Sequence, residues 1–339
     1  MMMRAILPHV VLLAIAAGAS ISVWTRDKKP VVSAGDVTVW NARPADVERI
    51  AFEAKGKKVS LEGRKDAQGR WFYGVSETQI AQAPDAGPAP PPKIVNFVSV
   101  TQANKLAEAL APLKALREVG KVGDDRSAEF GLKEPEGSLA VVIDGKERKL
   151  AIGAHTPGGG DRYVRDEGAN LVYVVKADVT RDLESGDSAL SEREPHGFKD
   201  PDLESVRIVS KGKTREVLRR GPDSKRIWAD PSDPGKADET VSNWIAKVDR
   251  LRPVEYLVAQ PSGPDLVVRI EYKVRGVSGA FLEIAKIPPI SPPPPAAPNQ
   301  PAPAPKSDFI VRTERTRQWA KAYGPVGEQV EQDLGSILR

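Results

Sequence analysis

Two stretches of the chain repeat one pattern, and this limits the fold more than any bulk property does. Asp46-Val47-Glu48-Arg49-Ile50-Ala51-Phe52 is similar to Asp202-Leu203-Glu204-Ser205-Val206-Arg207-Ile208. Each is followed by a basic polar turn, a second short strand (residues 58–61 and 215–218) and a tryptophan. These are Trp71 and Trp228, 25 and 26 residues after the leading Asp. An amphipathic helix comes next in both copies. Ala103, Leu106, Leu110 and Leu113 share one face in the first, and Val241, Trp244, Ile245, Val248 and Leu251 in the second. Spacings of three and four residues place such sets on one buried helical stripe.

The match continues downstream. Ser138-Leu139-Ala140-Val141-Val142-Ile143 parallels Asp265-Leu266-Val267-Val268-Arg269-Ile270, residues 149–152 parallel 281–284, and Arg162-Tyr163-Val164-Arg165 parallels Phe309-Ile310-Val311-Arg312. β-Branched and aromatic enrichment between turn residues predicts strands, and Asp144-Gly145 suits a two-residue hairpin turn. The expected fold class is α+β: two tandem repeats of antiparallel strands plus one amphipathic helix each, preceded by one N-terminal transmembrane helix. The repeats are expected over 38–190 and 198–339, after a membrane segment at 1–29, with the boundary near 192–199. Residues 315–339 read as helical, with Trp319, Tyr323, Val326, Val330 and Leu334 on one side. Pro325 would break that helix or open a second one at Gly324.

Fifteen of the 30 prolines fall in two windows, five at 84–92 and ten at 288–305. Proline-rich segments commonly act as semi-rigid spacers between domains. The repeat alignment instead puts both inside a copy, as loop insertions at 83–93 and 287–307, read as disordered or polyproline-II excursions. With 40% hydrophobic and 28% charged residues, the rest of the chain is able to build sizeable cores.

The run Phe130-Gly131-Leu132-Lys133-Glu134-Pro135, then Leu150-Ala151-Ile152-Gly153, Thr156-Pro157-Gly158, Tyr163-Val164-Arg165 and Val172-Tyr173-Val174-Val175 resembles the bacterial "domain of unknown function 4340" family. The Asp46-Val47-Glu48-Arg49-Ile50 lead-in and Gly69-Arg70-Trp71 fit it too. The resemblance covers roughly residues 1–260. It implies an anchored extracytoplasmic protein, often encoded beside ABC-type transport components of the gliding-associated kind. It carries no catalytic residues to transfer.

Residues 5–24 hold no Asp, Glu, Lys or Arg and lie between Arg4 and the cluster Arg26, Lys28, Lys29. Twenty helical residues cover about 30 Å, the thickness of a bilayer core, and Trp24 sits where an interfacial aromatic belongs. The expected location is the inner (cytoplasmic) membrane, single-pass, with the bulk periplasmic. Cleavage near Ala19 with release to the periplasm is the alternative.

No catalytic or metal-binding constellation emerges, and no cofactor is expected. The chain has no cysteine, and its three histidines, His9, His155 and His196, are far apart without metal-ligand spacing. The one segment suggesting a ligand loop contains His155, Gly158, Gly159, Gly160 and Asp161, because consecutive glycines let backbone N–H groups approach an anion. No Lys-Ser/Thr pair follows, and two strands flank the loop, so neither phosphate-loop pattern is met. The second copy departs from the first here. Asp230-Pro231-Ser232-Asp233-Pro234-Gly235 vaguely resembles a calcium loop, but Pro234 takes a ligand position and Val241 stands where the bidentate Glu belongs. The pair Glu192/Glu194 reads as solvated acids, and the basic run from Lys211 to Arg226 as a solvated face without a nucleic-acid module.

The expected role is therefore a non-catalytic, membrane-anchored scaffold or accessory protein with protein partners, which the resemblance suggests are ABC transporter subunits. A periplasmic ligand- or glycan-binding module is the alternative, using Trp71, Trp228 and Trp244 as exposed stacking surfaces. These three are expected to be buried instead, as structural markers of the repeat. A hydrolase would need His155 gathered with carboxylates of both copies.

Overall fold

The computed structural model describes residues 37–80, 90–221, 226–289 and 307–339. The expected membrane segment and most of both proline-rich insertions lie outside the described residues. Among the described residues no helix is long and apolar enough to cross a membrane.

The first half contains β1 (Val37–Trp40), β2 (Val47–Ala54), β3 (Lys57–Asp66), β4 (Gly69–Thr78), β5 (Lys93–Ser99), α1 (Thr101–Leu110), β6 (Leu113–Ala115), β7 (Arg117–Gly120), α2 (Asp124–Ser127), β8 (Gly137–Ile143), β9 (Lys146–His155), β10 (Asp161–Asp166), β11 (Leu171–Lys176), α3 (Asp178–Ser185) and α4 (Asp187–Leu190). The second half contains β12 (Leu203–Ser210), β13 (Lys213–Arg220), β14 (Ile227–Ala229), α5 (Glu239–Val248), β15 (Glu255–Tyr256), β16 (Asp265–Val274), β17 (Val277–Ile287), β18 (Asp308–Thr313), β19 (Ala320–Lys321) and α6 (Gly324–Ile337). The fold is α+β and mainly antiparallel sheet.

The two large sheets run β5-β4-β3-β2-β8-β9-β10-β11-β7 and β14-β13-β12-β16-β17-β18-β19-β15. With β5 set aside, both have the same strand order. The alternation of strand side chains explains it. Ile50 and Phe52 of β2 lie opposite Leu61 and Val59 on one side and Val141 and Leu139 on the other. Val206 and Ile208 of β12 lie opposite Tyr272 and Ile270 of β16. Period-two spacing turns each set to one face, where all are buried. A helix then covers that face: α1 through Ala103, Leu106, Ala107 and Leu110, and α5 through Val241, Trp244, Ile245 and Val248. The Asp238 carboxylate caps α5 by accepting the Val241 N–H at 2.9 Å.

Three expectations need correction. Helix α1 stops at Leu110, because Pro112 lacks an N–H and disfavours helical backbone at Ala111, which is extended. Leu113 therefore belongs to β6, still buried, and Leu251 likewise lies beyond the end of α5. Residues 315–323 are turn and short strand instead of helix, and α6 begins at Gly324 with Pro325 in its first turn. The first half also has an extra strand: β5 follows the first proline-rich segment and pairs with β4 from Phe72↔Ser99 to Thr78↔Lys93. The second proline-rich segment joins β17 to β18, whose nearest pair is Ile287↔Asp308. Each insertion therefore connects two hydrogen-bonded neighbours.

The Phe130-Gly131-Leu132 and Ile152-Gly153-Ala154 runs meet backbone to backbone. A Cβ on Gly153 would collide with the Phe130 carbonyl oxygen, and one on Gly131, at φ 65°, would stand 2.6 Å from Ala154 N. Behind them Arg162, 5% exposed, donates to Glu136 at 2.7 Å, Glu184 at 2.7 Å and Gly153 O at 3.0 Å. The Arg162 hydrogen bond holds the Glu136 carboxyl below its usual range, helped by Lys55 and opposed by burial.

Gly153→Ala is expected to lose ~1–3 kcal/mol of stability through overpacking, read as a lower urea midpoint at unchanged slope. An unchanged midpoint would show that the two runs have room to separate. The Glu136 proton equilibrium adds a pH dependence. Its folded value lies below the ordinary 4.5, so its contribution is complete above that value and fades as pH falls through the lowered one. Stability is expected to drop less steeply in Glu136→Gln than in the parent chain between about pH 5 and about pH 3. Parallel curves would contradict this.

Candidate functional site

The seam between the two halves is built around Glu192. Its backbone N–H donates to Val98 O of β5 at 2.6 Å, and its carbonyl accepts the Tyr256 hydroxyl of β15 at 2.8 Å. The carboxylate lies 3.0 Å from Arg315 Nε and accepts the Thr101 N–H, at the start of α1, at 3.4 Å. Negative charge is favoured at a helix N-terminus, and Arg315 also donates to Thr101 Oγ1 at 2.5 Å. Arg317 reaches back to Asp66 at 2.5 Å and to Gln68 O at 3.0 Å. Tyr256 and Ala320, from the second half, are part of the first half's apolar core. Burial raises the Tyr256 hydroxyl far above its ordinary value, so it stays a neutral donor.

Two clefts flank this seam, separated by Phe198. The larger, 580 Å³, is lined by Glu194, Pro195, His196, Phe198, Asp200, Leu203, Arg226, Val248, Asp249, Arg252, Tyr272 and Leu282. The other, 550 Å³, has Ala67, Gln68 and Val100 of the first half facing Gly197, Ser278, Glu314, Arg315 and Arg317 of the second.

His196 lines the larger cleft, and Glu314, its partner, lines the other. The His196 Nδ1 lies 3.1 and 3.2 Å from the two Glu314 oxygens. A carboxylate only accepts, so Nδ1 carries the hydrogen and donates. Glu314 is oriented in turn by the Phe281 N–H at 3.0 Å. The imidazole stacks on Phe198 at 4.7 Å and meets Tyr272 edge-on at 4.5 Å. Burial raises the Tyr272 hydroxyl well above its ordinary value. On the charged wall, Arg226 bridges Asp200 and Asp249. Burial alone would weaken its hold on the proton, but the two carboxylates outweigh that and raise it. This arrangement offers an aromatic floor, one oriented imidazole and a mixed-charge rim, which suits binding of a polar ligand with an apolar part.

The segment singled out in the sequence does not join this site. His155 ends β9, and Gly158, Gly159 and Gly160 form an exposed hairpin turn before Asp161 opens β10; among the described residues no group of carboxylates gathers with His155. Gly158 and Gly159 adopt positive φ, which explains the glycines by turn geometry. Trp71, Trp228 and Trp244 are buried at 7%, 1% and 1% exposure, so none presents a stacking face. Glu192, read as a solvated acid beside Glu194, is buried and ion-paired. Among the described residues no group of three or more His, Asp or Glu is placed to hold a metal ion. His196 and Glu314 are 118 residues apart in sequence, and no local motif joins them.

Residues 98–266 match the family described as Domain of unknown function (DUF4340). The match runs from β5 into β16, across both halves. No curated protein and no solved structure matches the chain.

Arg315→Met strands the Glu192 carboxylate in its buried position and is expected to cost about 3 kcal/mol. Adding Glu192→Gln should recover part of the loss. Urea unfolding of the single and double variants checks this; a single variant as stable as the parent would mean the ion pair does not hold the seam.

Proposed function

The chain belongs, through residues 98–266, to the domain of unknown function 4340 family, and from that premise we propose that it is a non-catalytic extracytoplasmic scaffold or accessory protein. In this reading residues 5–24 anchor it in the cytoplasmic membrane, the two α+β repeats project outside, and its partners are subunits of an ABC-type transport system. The observation that carries the reading is the seam. Glu192, Arg315, Arg317 and Tyr256 join two sheets of like topology through hydrogen bonds and ion pairs that run from the buried Tyr256–Glu192 contact to the exposed Arg317–Asp66 pair. A coupled pair of sheets presents partners with fixed relative surfaces, which favours binding over chemistry. Exposed apolar side chains add support. Ile80 and Ile94 flank the first proline-rich segment, and Val254, Val258 and Tyr323 flank the short β15–β19 pair, each at least half exposed.

The cleft beside His196 favours a second reading, a periplasmic ligand-binding module. Its aromatic floor and the Glu314-oriented imidazole would then select the ligand, in place of the buried tryptophans.

Affinity purification of the full chain from membranes in mild detergent tests the first reading. Transporter subunits are expected to co-purify, and Val254→Asp/Val258→Asp is expected to reduce their recovery several-fold without altering the thermal midpoint. Recovery of the chain alone, under conditions that keep known membrane complexes intact, would refute the scaffold role.

A further inference from the structure

The hairpin between the first two strands of each sheet supplies an internal comparison. Its turn is Lys55-Gly56 followed by Lys57 in the first half, and Lys211-Gly212 followed by Lys213 in the second. Both turns take the same left-handed backbone, φ 47° and 75° against 47° and 79°. What the lysines meet differs. Lys55 Nζ lies 3.0 Å from Glu136, and Lys57 Nζ donates to Glu184 O at 2.8 Å and Ser185 O at 3.2 Å, at the end of α3. The Lys211 and Lys213 ammonium groups have neither a carboxylate within 4 Å nor a hydrogen bond among the described residues. They line a groove of 260 Å³ between the turn and α6, walled by Val267, Leu334 and Leu338.

The groove's other polar side chains are already engaged. Ser210 donates to Val267 O at 2.5 Å, and Glu331 accepts from Lys286 at 2.6 Å. Two cations without a counter-charge among the described residues therefore stand beside an apolar wall. We infer that this groove binds a long-chain carboxylate, with its head between Lys211 and Lys213 and its alkyl chain along Val267, Leu334 and Leu338. The lysines supply charge-assisted hydrogen bonds to the head, and the wall removes the chain from water. Gly335 lies on the groove and has open space where a Cβ would stand, so a side chain can start there toward the alkyl path without a clash at its first carbon.

The test uses the full chain in phosphatidylcholine nanodiscs and a photoreactive diazirine dodecanoate, with labelled peptides mapped by mass spectrometry. Saturable label on α6 or the Val267 strand is expected, weakened about fivefold to tenfold by Lys211→Gln/Lys213→Gln. Gly335→Leu is expected to abolish the label while the thermal midpoint holds, and Lys55→Gln/Lys57→Gln to leave it unchanged. Equal labelling by the matching diazirine alcohol, label confined to residues 5–24, or an unaffected Lys211→Gln/Lys213→Gln variant would overturn the inference. Loss of the label on adding phosphatidylglycerol to the nanodiscs would also overturn it, by assigning the groove to a membrane phosphate.

Discussion

Glu192 carries a charge out of water at the place where the two sheets meet, and the seam is arranged to satisfy it. Arg315 and the N-terminus of α1 face its carboxylate, while its backbone bonds β5 on one side and Tyr256 on the other. A buried carboxylate left alone is costly, and a paired one tolerates little displacement of its partners. That constraint, together with Tyr256 and Ala320 packed in the first half's apolar core, ties the second sheet to the first. A short distance away the Arg317 guanidinium pairs with the exposed Asp66 carboxylate and adds a second tie between the halves.

The strand that distinguishes the halves is also the strand that joins them. Among the described residues β5 has no counterpart in the second sheet, and it lies at the edge of the first, where β15 approaches it. An exposed edge offers unpaired backbone groups to other chains. Here the edge is partly covered from within, by the Glu192 backbone and the short β15 strand. The first proline-rich insertion leads directly into β5, so it belongs to the hairpin that extends the sheet toward the seam.

Much of the fold was legible because strand and helix periodicities act locally. Ile50 and Phe52, or Val206 and Ile208, announce one buried face by alternation alone, and the stripe on α5 does so by its spacing. The family-like Phe130-Gly131-Leu132 and Ile152-Gly153 motifs were visible as residues, but their meaning, a backbone contact too close for a Cβ, was not. β5 is not legible as a strand because Lys93, Asn96 and a preceding proline run mask its character, and pairing with β4 supplies what propensity lacks. The candidate site was hardly legible. His155 has glycines beside it in the sequence, whereas His196 gains its environment from Glu314, Phe198 and Tyr272, each contributed by a different segment.

By itself the sequence determined the repeated plan, the α+β class, the helical stripes, the turn glycines and the burial of Trp71, Trp228 and Trp244. These depend on interactions within a few residues or on a periodic apolar face. Only the tertiary structure decided that Glu192 is a buried partner and not a solvated acid, and that the hairpin lysines of one half are paired whereas those of the other have no partner among the described residues. It alone brought His196 to Glu314. Such outcomes depend on which distant charge arrives within hydrogen-bond reach, and spacing along the chain does not encode that distance.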